Sequence, residues 1–225
     1  MEPFKNHFNK QLLKEIAEQI KFNYSSFNEK EFLKISKQLS KLEMKERVVL
    51  ISDQLRLTLP KNYKKAVKIL IHSLKTTQNP SGIEGFATWP LLHFVEVNGL
   101  DDYETSFKAM YEMTQRFSAE FAIRPFISLD PKKSFEYLNQ WITDENEHIR
   151  RLCSEGIRPN LPWGMKVENI NQNLERGLKL LEKLKDDDSV YVQKSVANHL
   201  NDLSHIKPEL LLRTLKRWNK ANISN

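Results

Sequence analysis

Apolar residues recur at helical spacing along almost the whole chain. In residues 9–22, Leu12, Ile16 and Ile20 fall at i, i+4 and i+8, with Leu13 and Ala17 beside them. Phe32, Ile35 and Leu39 repeat the pattern, and the stretches KERVVLISDQLRLTL and YKKAVKILIHSL read likewise. No stretch shows the period-two alternation of a half-buried strand. The chain has only 6 glycines in 225 residues, too few for a hairpin-rich β protein, because primed turns consume glycine. The spacing predicts an all-α protein of about a dozen helices, each roughly 10 to 16 residues long and joined by short turns. Breaks are expected at Pro60, 79–82, 98–99, Asp130-Pro131 and 159–164. The stretch 76–87 reads as the longest loop, between an N-terminal helical cap (1–75) and the remainder (86–225).

That remainder repeats. FATWPL at 86–91 returns as FAIRPF at 121–126, and Ile123-Arg124-Pro125 returns as Ile157-Arg158-Pro159. Ile149, Leu152, Cys153, Gly156 and Ile157 align with Val192, Ser195, Val196, His199 and Leu200. Spacings of this size between paired helices, without strands, predict a single domain of degenerate HEAT-like repeats. Such repeats stack into a right-handed α-solenoid with a concave cleft.

The net charge is +6, with 35 Lys and Arg against 29 Asp and Glu. Charge alone says little about partners. Its distribution says more: eight of the ten arginines lie at or after Arg116, and the planar guanidinium fork suits phosphate better than lysine does. The helix through 146–158 places His148, Arg151, Glu155 and Arg158 opposite its apolar stripe. Arg116, Glu120 and Arg124 fall at i, i+4 and i+8 one repeat earlier. Tyr191, Lys194, Asn198 and Asn201 are the matching positions one repeat later. In a stacked solenoid these positions could line a cleft, with carboxylates flanked by phosphate-gripping cations. On any one helix the same pattern is usually a solvated surface pair worth roughly 0.2–0.5 kcal/mol.

The segment SEGIRPNLPWG (154–164) places Trp163 between Pro162 and Gly164, just beyond Glu155. Such a ring beside a carboxylate suits a cationic substrate. Pro-Trp-Gly more often plugs a gap between helices, and the residues alone favour the plug. Trp89 fits a core plug or a surface stacker; Trp141 and Trp218 read as core. Cys153, the one cysteine, lies on the apolar stripe and excludes a disulfide within the chain. The six histidines show no metal-ligand spacing, and no phosphate-binding glycine loop or nucleophile elbow is present. Asp186-Asp187-Asp188 is expected to cap the following helix. No apolar run is long enough for a secretory signal or a membrane span, so the chain is expected to be soluble and cytoplasmic.

EHIRRLCSEGIRPNLPWG, with TQRFSAEFAIRPF, GFATWPL and SVANHLND, resembles the AlkC-type DNA alkylation repair glycosylases of the HEAT-like-repeat AlkC/AlkD superfamily. The likeness runs from the KNHF region to about Trp218. It implies a basic concave cleft for duplex DNA and excision of N3-alkylated bases, chiefly 3-methyladenine, with 3-methylcytosine as a second candidate. It implies hydrolysis of the N-glycosidic bond as the first step of base excision repair. No deep base-flipping pocket, metal or organic cofactor is implied. By motif match, Glu155 and Glu120 fall at the family's active-site carboxylates, Trp163 at its cleft aromatic, and Arg151 and Asp202 at further cleft positions. Arg158, Arg150, Lys194, Asn198 and Arg116 are the other expected DNA contacts. A monomer associated with the bacterial nucleoid is expected. Family members usually read SEGTRPRLPW; here Ile157 replaces the threonine and Asn160 the second arginine, removing a cation beside the cleft. Members also tend to continue into further repeats or an immunoglobulin-like domain, and these are expected to be missing here. Outside this family, the alternatives are a non-catalytic duplex binder and a protein-binding HEAT scaffold.

Overall fold

The computed structural model describes residues 3–223, with side chains through 219. Thirteen α-helices and a few short 3-10 turns account for the regular structure among the described residues. The lone β-bridge there pairs Leu74 with Ile83. The chain divides into two compact units, Met1–Ala122 and Ile123–Asn225.

The first unit holds α1 (Lys10–Asn23), α2 (Glu29–Leu33), α3 (Met44–Thr58), α4 (Tyr63–His72), α5 (Trp89–Asn98) and α6 (Tyr103–Thr114). Short polar residues start most of them. Asn9, Asn28, Asn62 and Asp102 accept backbone N–H groups at the starts of α1, α2, α4 and α6. Each cap contributes about 1 kcal/mol. The spaced residues Leu12, Leu13, Ile16, Ala17 and Ile20 are all buried, and α3 packs on α5, which packs on α6. Trp89 is a core plug: it stacks on Phe117 and Phe121 and meets the edge of Phe8.

The second unit holds α7 (Arg124–Leu129), α8 (Pro131–Trp141), α9 (Glu147–Glu155), α10 (Glu168–Gln172), α11 (Leu174–Leu184), α12 (Val190–Ile206) and α13 (Pro208–Ile223). Helix α9 lies at its centre, against α8, α11 and α12. The predicted stripe Ile149, Leu152, Cys153, Gly156 and Ile157 is buried throughout, and Trp141 and Trp218 are core. Burial pushes the Cys153 thiol well above its ordinary value, so it is inert packing.

Three expectations change. Several helices are shorter than the spacing suggests; α2, α7 and α10 have 5, 6 and 5 residues. Residues 115–123 are not helical, so Arg116, Glu120 and Arg124 share no helical stripe. Local and tertiary bonds replace the helical ladder there. Gly85 donates to the Arg116 carbonyl and Ala119 to the Thr114 hydroxyl. The repeated motif also diverges. Pro90 and Pro125 lie in the first turns of α5 and α7, where a missing N–H costs nothing. Arg158-Pro159 instead follows the end of α9.

Candidate functional site

Glu155 ends α9 and is only 5% exposed. Its Oε1 accepts from Arg158 Nη1 at 2.7 Å and lies 3.6 Å from Arg151 Nη2. Its Oε2 accepts from the Ser195 hydroxyl of α12 at 2.6 Å. Ser195 reaches it because α9 and α12 pack face to face. The helix ends there because Gly156 and the Pro159 turn follow. A Cβ on Gly156 would lie 2.9 Å from Ile123 Cγ2 and 3.1 Å from the Leu152 carbonyl, so a larger residue would push the segments apart.

Arg158 joins two carboxylates. Its Nε and Nη2 donate to Asp202 at 2.9 and 3.1 Å, while Nη1 holds Glu155. Burial works against the guanidinium charge, but the bonds to Asp202 and Glu155 outweigh it and raise the arginine above its ordinary value. Asp202 Oδ2 also accepts the Asn160 backbone N–H at 3.3 Å. This last bond reaches the segment that carries Trp163. There, Gly164 N–H donates to the Leu161 carbonyl, closing a turn with Pro162 and Trp163 at its centre. Trp163 takes a φ of 63°, the left-handed region that a type II turn demands at its third residue and that normally selects glycine. The ring is 62% exposed. The gap-filling reading of Pro-Trp-Gly is therefore wrong: the turn aims the indole outward.

Arg151 stacks over the Tyr191 ring at 4.8 Å, and His148 meets the same ring edge-on at 5.5 Å. Lys194 and Asn198 are exposed on α12, on the same helical stripe as Tyr191. His199, from the buried stripe, faces the Ser154 carbonyl through Nδ1 at 3.1 Å. Burial lowers its pKa to about 4, so it is neutral at pH 7 and its Nδ1–H is the donor.

Other expected DNA contacts have protein partners. Arg150 grips Asp187 with two bonds of 2.6 and 2.8 Å and donates to the carbonyls of Asp144 and Glu145. These bonds raise Arg150 and hold Asp187 below the usual carboxylate range. Asp187 of the acidic triplet is thus an anchor for Arg150. Asp187 does accept the Ser189 N–H, but the residue before α12 makes no side-chain cap. Arg116, in the first unit, donates to the carbonyls of Lys75 and Glu112. Glu120, also in the first unit, accepts from the Ser118 hydroxyl at 2.9 Å. Arg124 is 1% exposed and binds the carbonyls of Gly156, Arg158 and Met165.

The structure thus brings Glu155, Arg158, Asp202 and Arg151 together and ties the Trp163 turn to them. Sequence reasoning missed Ser195, the Asn160 N–H and the strut role of Arg124. Ser195 carried a faint signal, a hydroxyl on an otherwise apolar stripe. The arrangement can hold a carboxylate rigidly beside guanidinium groups and an exposed aromatic face. Among the described residues no His, Cys, Asp or Glu group could hold a metal ion, and no helix is long and apolar enough to cross a membrane.

Residues 112–224 match the sequence pattern of the family described as DNA alkylation repair enzyme. The chain is 38% identical over 220 residues to the uncharacterized protein YhaZ of Bacillus subtilis, covering 97% of this chain and 60% of YhaZ. Its fold matches the alkylpurine DNA glycosylase AlkC of Pseudomonas fluorescens, solved bound to DNA containing an abasic site analogue. There the TM-score is 0.88 and the identity 36%, covering 99% of this chain and 61% of AlkC. The chain therefore spans about three fifths of the length of each of these relatives. Matched over residues 112–224, which include the helices α9 and α12 that build the Glu155 cluster, the chain belongs to the DNA alkylation repair enzyme family.

Proposed function

We propose that this chain is a DNA glycosylase that releases N3-alkylated bases, chiefly 3-methyladenine, from duplex DNA by hydrolysing the N-glycosidic bond. The observation that carries the reading is the fixed Glu155 carboxylate, held by Arg158 and Ser195 beside the Trp163 turn. It lies within the residues that match the family.

N3-alkylated adenine carries a positive charge and needs no proton to leave. When the C1′–N9 bond breaks, its electron pair goes to the base, which departs neutral. Positive charge then develops on the sugar, where a carboxylate stabilises it. Water adds at C1′ from the face that the carboxylate commands and gives up its proton there, as in O-glycoside hydrolysis. A carboxylate already fixed by its neighbours needs little rearrangement as that charge develops. The indole face of Trp163 offers a favourable surface to the cationic lesion. Arg151, Lys194 and Asn198 contact phosphates, whereas Arg116, Arg150 and Arg158 serve the protein itself. Gripping the backbone rather than a fully flipped base fits a site built on helix faces. The same chemistry extends to 3-methylcytosine, also a cationic leaving group.

The shielding of Glu155 favours one rival, a duplex binder in which the carboxylate is purely structural. Glu155→Gln separates the two. The glycosylase reading expects release of 3-methyladenine from methylated duplex to fall at least about 100-fold, on the scale of losing one preorganised electrostatic group, with DNA binding retained. Equal release by the variant would remove Glu155 from the chemistry. Glu120→Gln in the same assay should lower release by a smaller factor.

A further inference from the structure

A cavity of about 290 Å³ opens between α8 and α11 in the second unit, with the largely buried Phe135 in its lining. Lys132, Arg176 and Lys179 also line it, against one carboxylate, Glu136. All three cations are exposed. Among the described residues none of their side chains has an ion-pair, hydrogen-bond or ring partner. Arg176 is exceptional in this respect. Every other arginine reaches a carboxylate or a carbonyl: Arg47, Arg56, Arg116, Arg124, Arg150, Arg151, Arg158, Arg213 and Arg217.

Folding accounts for part of this arrangement, since Glu136 and Glu175 lie four residues from Lys132 and Lys179 on the same helices, but not for Arg176. Arg176 and Lys179 are like charges three apart on one helix, a repulsive spacing. Lys132 and Arg176 also lie in the first turns of α8 and α11, where the helix dipole opposes a cation. Lys183 extends the α11 stripe by one turn, so its three cations run for about 10 Å. A line of that length fits successive phosphates on a strand better than a single small anion.

The groove is not part of the Glu155 site. On α11, a Cβ on Gly177 would meet Ile157 and His199 at 3.4 and 3.9 Å, so that side faces α9 and α12. Lys179, Lys183 and Arg176 lie roughly 200°, 240° and 260° around the helix from it. We infer that the α8–α11 groove is a second phosphodiester-binding site, which holds the backbone of a nucleic-acid strand on the side of α11 turned away from Glu155. The planar fork of Arg176 grips phosphate oxygens, and Lys132 and Lys179 flank it. A cavity this small admits a phosphate with its sugar rather than a base pair, so the site is indifferent to sequence and to damage. It does not depend on the glycosylase reading.

The test uses the whole chain and a short undamaged duplex, with stoichiometry read by sedimentation at low salt. Lys132→Glu/Arg176→Glu/Lys179→Glu is compared with Lys10→Glu/Lys14→Glu/Lys30→Glu, which changes net charge equally at other exposed lysines. Wild type and the control should each bind a second duplex. The groove variant should bind one, with its secondary structure and any base release per bound duplex unchanged. The lost second event should have a salt slope of roughly 0.9 per phosphate neutralised. Wild type binding a single duplex would overturn the inference, as would equal loss in both variants. Saturation of the groove by a polyglutamate peptide, with the duplex count unaltered, would assign it to an acidic polypeptide instead and equally overturn it.

Discussion

Trp163 occupies a backbone conformation that a side chain of its size rarely takes. Its φ of 63° costs about 1–2 kcal/mol relative to glycine, yet the ring is mostly exposed and returns little burial. Strain kept at an exposed residue points to use rather than packing. Trp163→Gly should therefore change unfolding free energy by less than about 1 kcal/mol, because relief of strain offsets the lost contacts. Base release should fall sharply. A destabilisation of about 3–5 kcal/mol, typical of a deleted core aromatic, would show instead that the ring is structural. His199 gives a second residue-level prediction. Its folded pKa lies near 4 against an unfolded value near 6.5. The folded chain therefore refuses a proton that the unfolded chain accepts. Stability from this residue is complete above about pH 6.5 and declines by roughly 1.4 kcal/mol per pH unit down to pH 4. Urea unfolding across that range should show the slope in wild type and lose most of it in His199→Asn. An unchanged slope would place the titration elsewhere.

Helices α9 and α12 are fastened by a carboxylate–guanidinium–carboxylate chain that also reaches the turn beyond Asn160. Asp202→Asn would leave the buried Arg158 guanidinium short of charge and should cost about 3 kcal/mol. Hydrogen exchange at the Asn160 amide should quicken in the same variant, since that N–H donates to Asp202. Unchanged protection there would show that the strut does not hold the turn. At this scale the sequence was informative where contacts are periodic. Ile149, Leu152, Cys153 and Ile157 were legible as a buried stripe because a helix repeats its inner face every third or fourth residue. The partners of the arginines were not legible. Arg124 binds carbonyls 32 and 34 residues away, and Arg158 meets Asp202 across 44. No local spacing encodes such pairs. The turn at 115–123 escaped for the same reason. Its helical periodicity is intact, but the Arg116 carbonyl is taken by Gly85, a residue distant in sequence. The motif likeness pointed to Glu155 and Glu120 as candidates; only packing showed that Ser195 and Arg158 hold Glu155.

Across the whole chain, the positive charge falls into three settings that the sequence could not separate. Arg116, Arg124, Arg150 and Arg158 tie protein groups together. Arg151 and Lys194 lie by the Glu155 face, and Lys132, Arg176 and Lys179 line the groove on the far side of α11. Charge reversal in each set should therefore read out differently, as lost stability, lost lesion binding, or lost second-duplex binding. The chemistry proposed for the chain is cleavage of a glycosidic bond beside Glu155. Its most direct test is to incubate the wild-type protein with a duplex carrying 3-methyladenine under single-turnover conditions and weigh both products. Free 3-methyladenine should appear in step with a strand bearing an intact abasic deoxyribose, and neither product should accumulate with Glu155→Gln. A wild-type protein that binds the duplex but leaves the lesion attached would contradict the account.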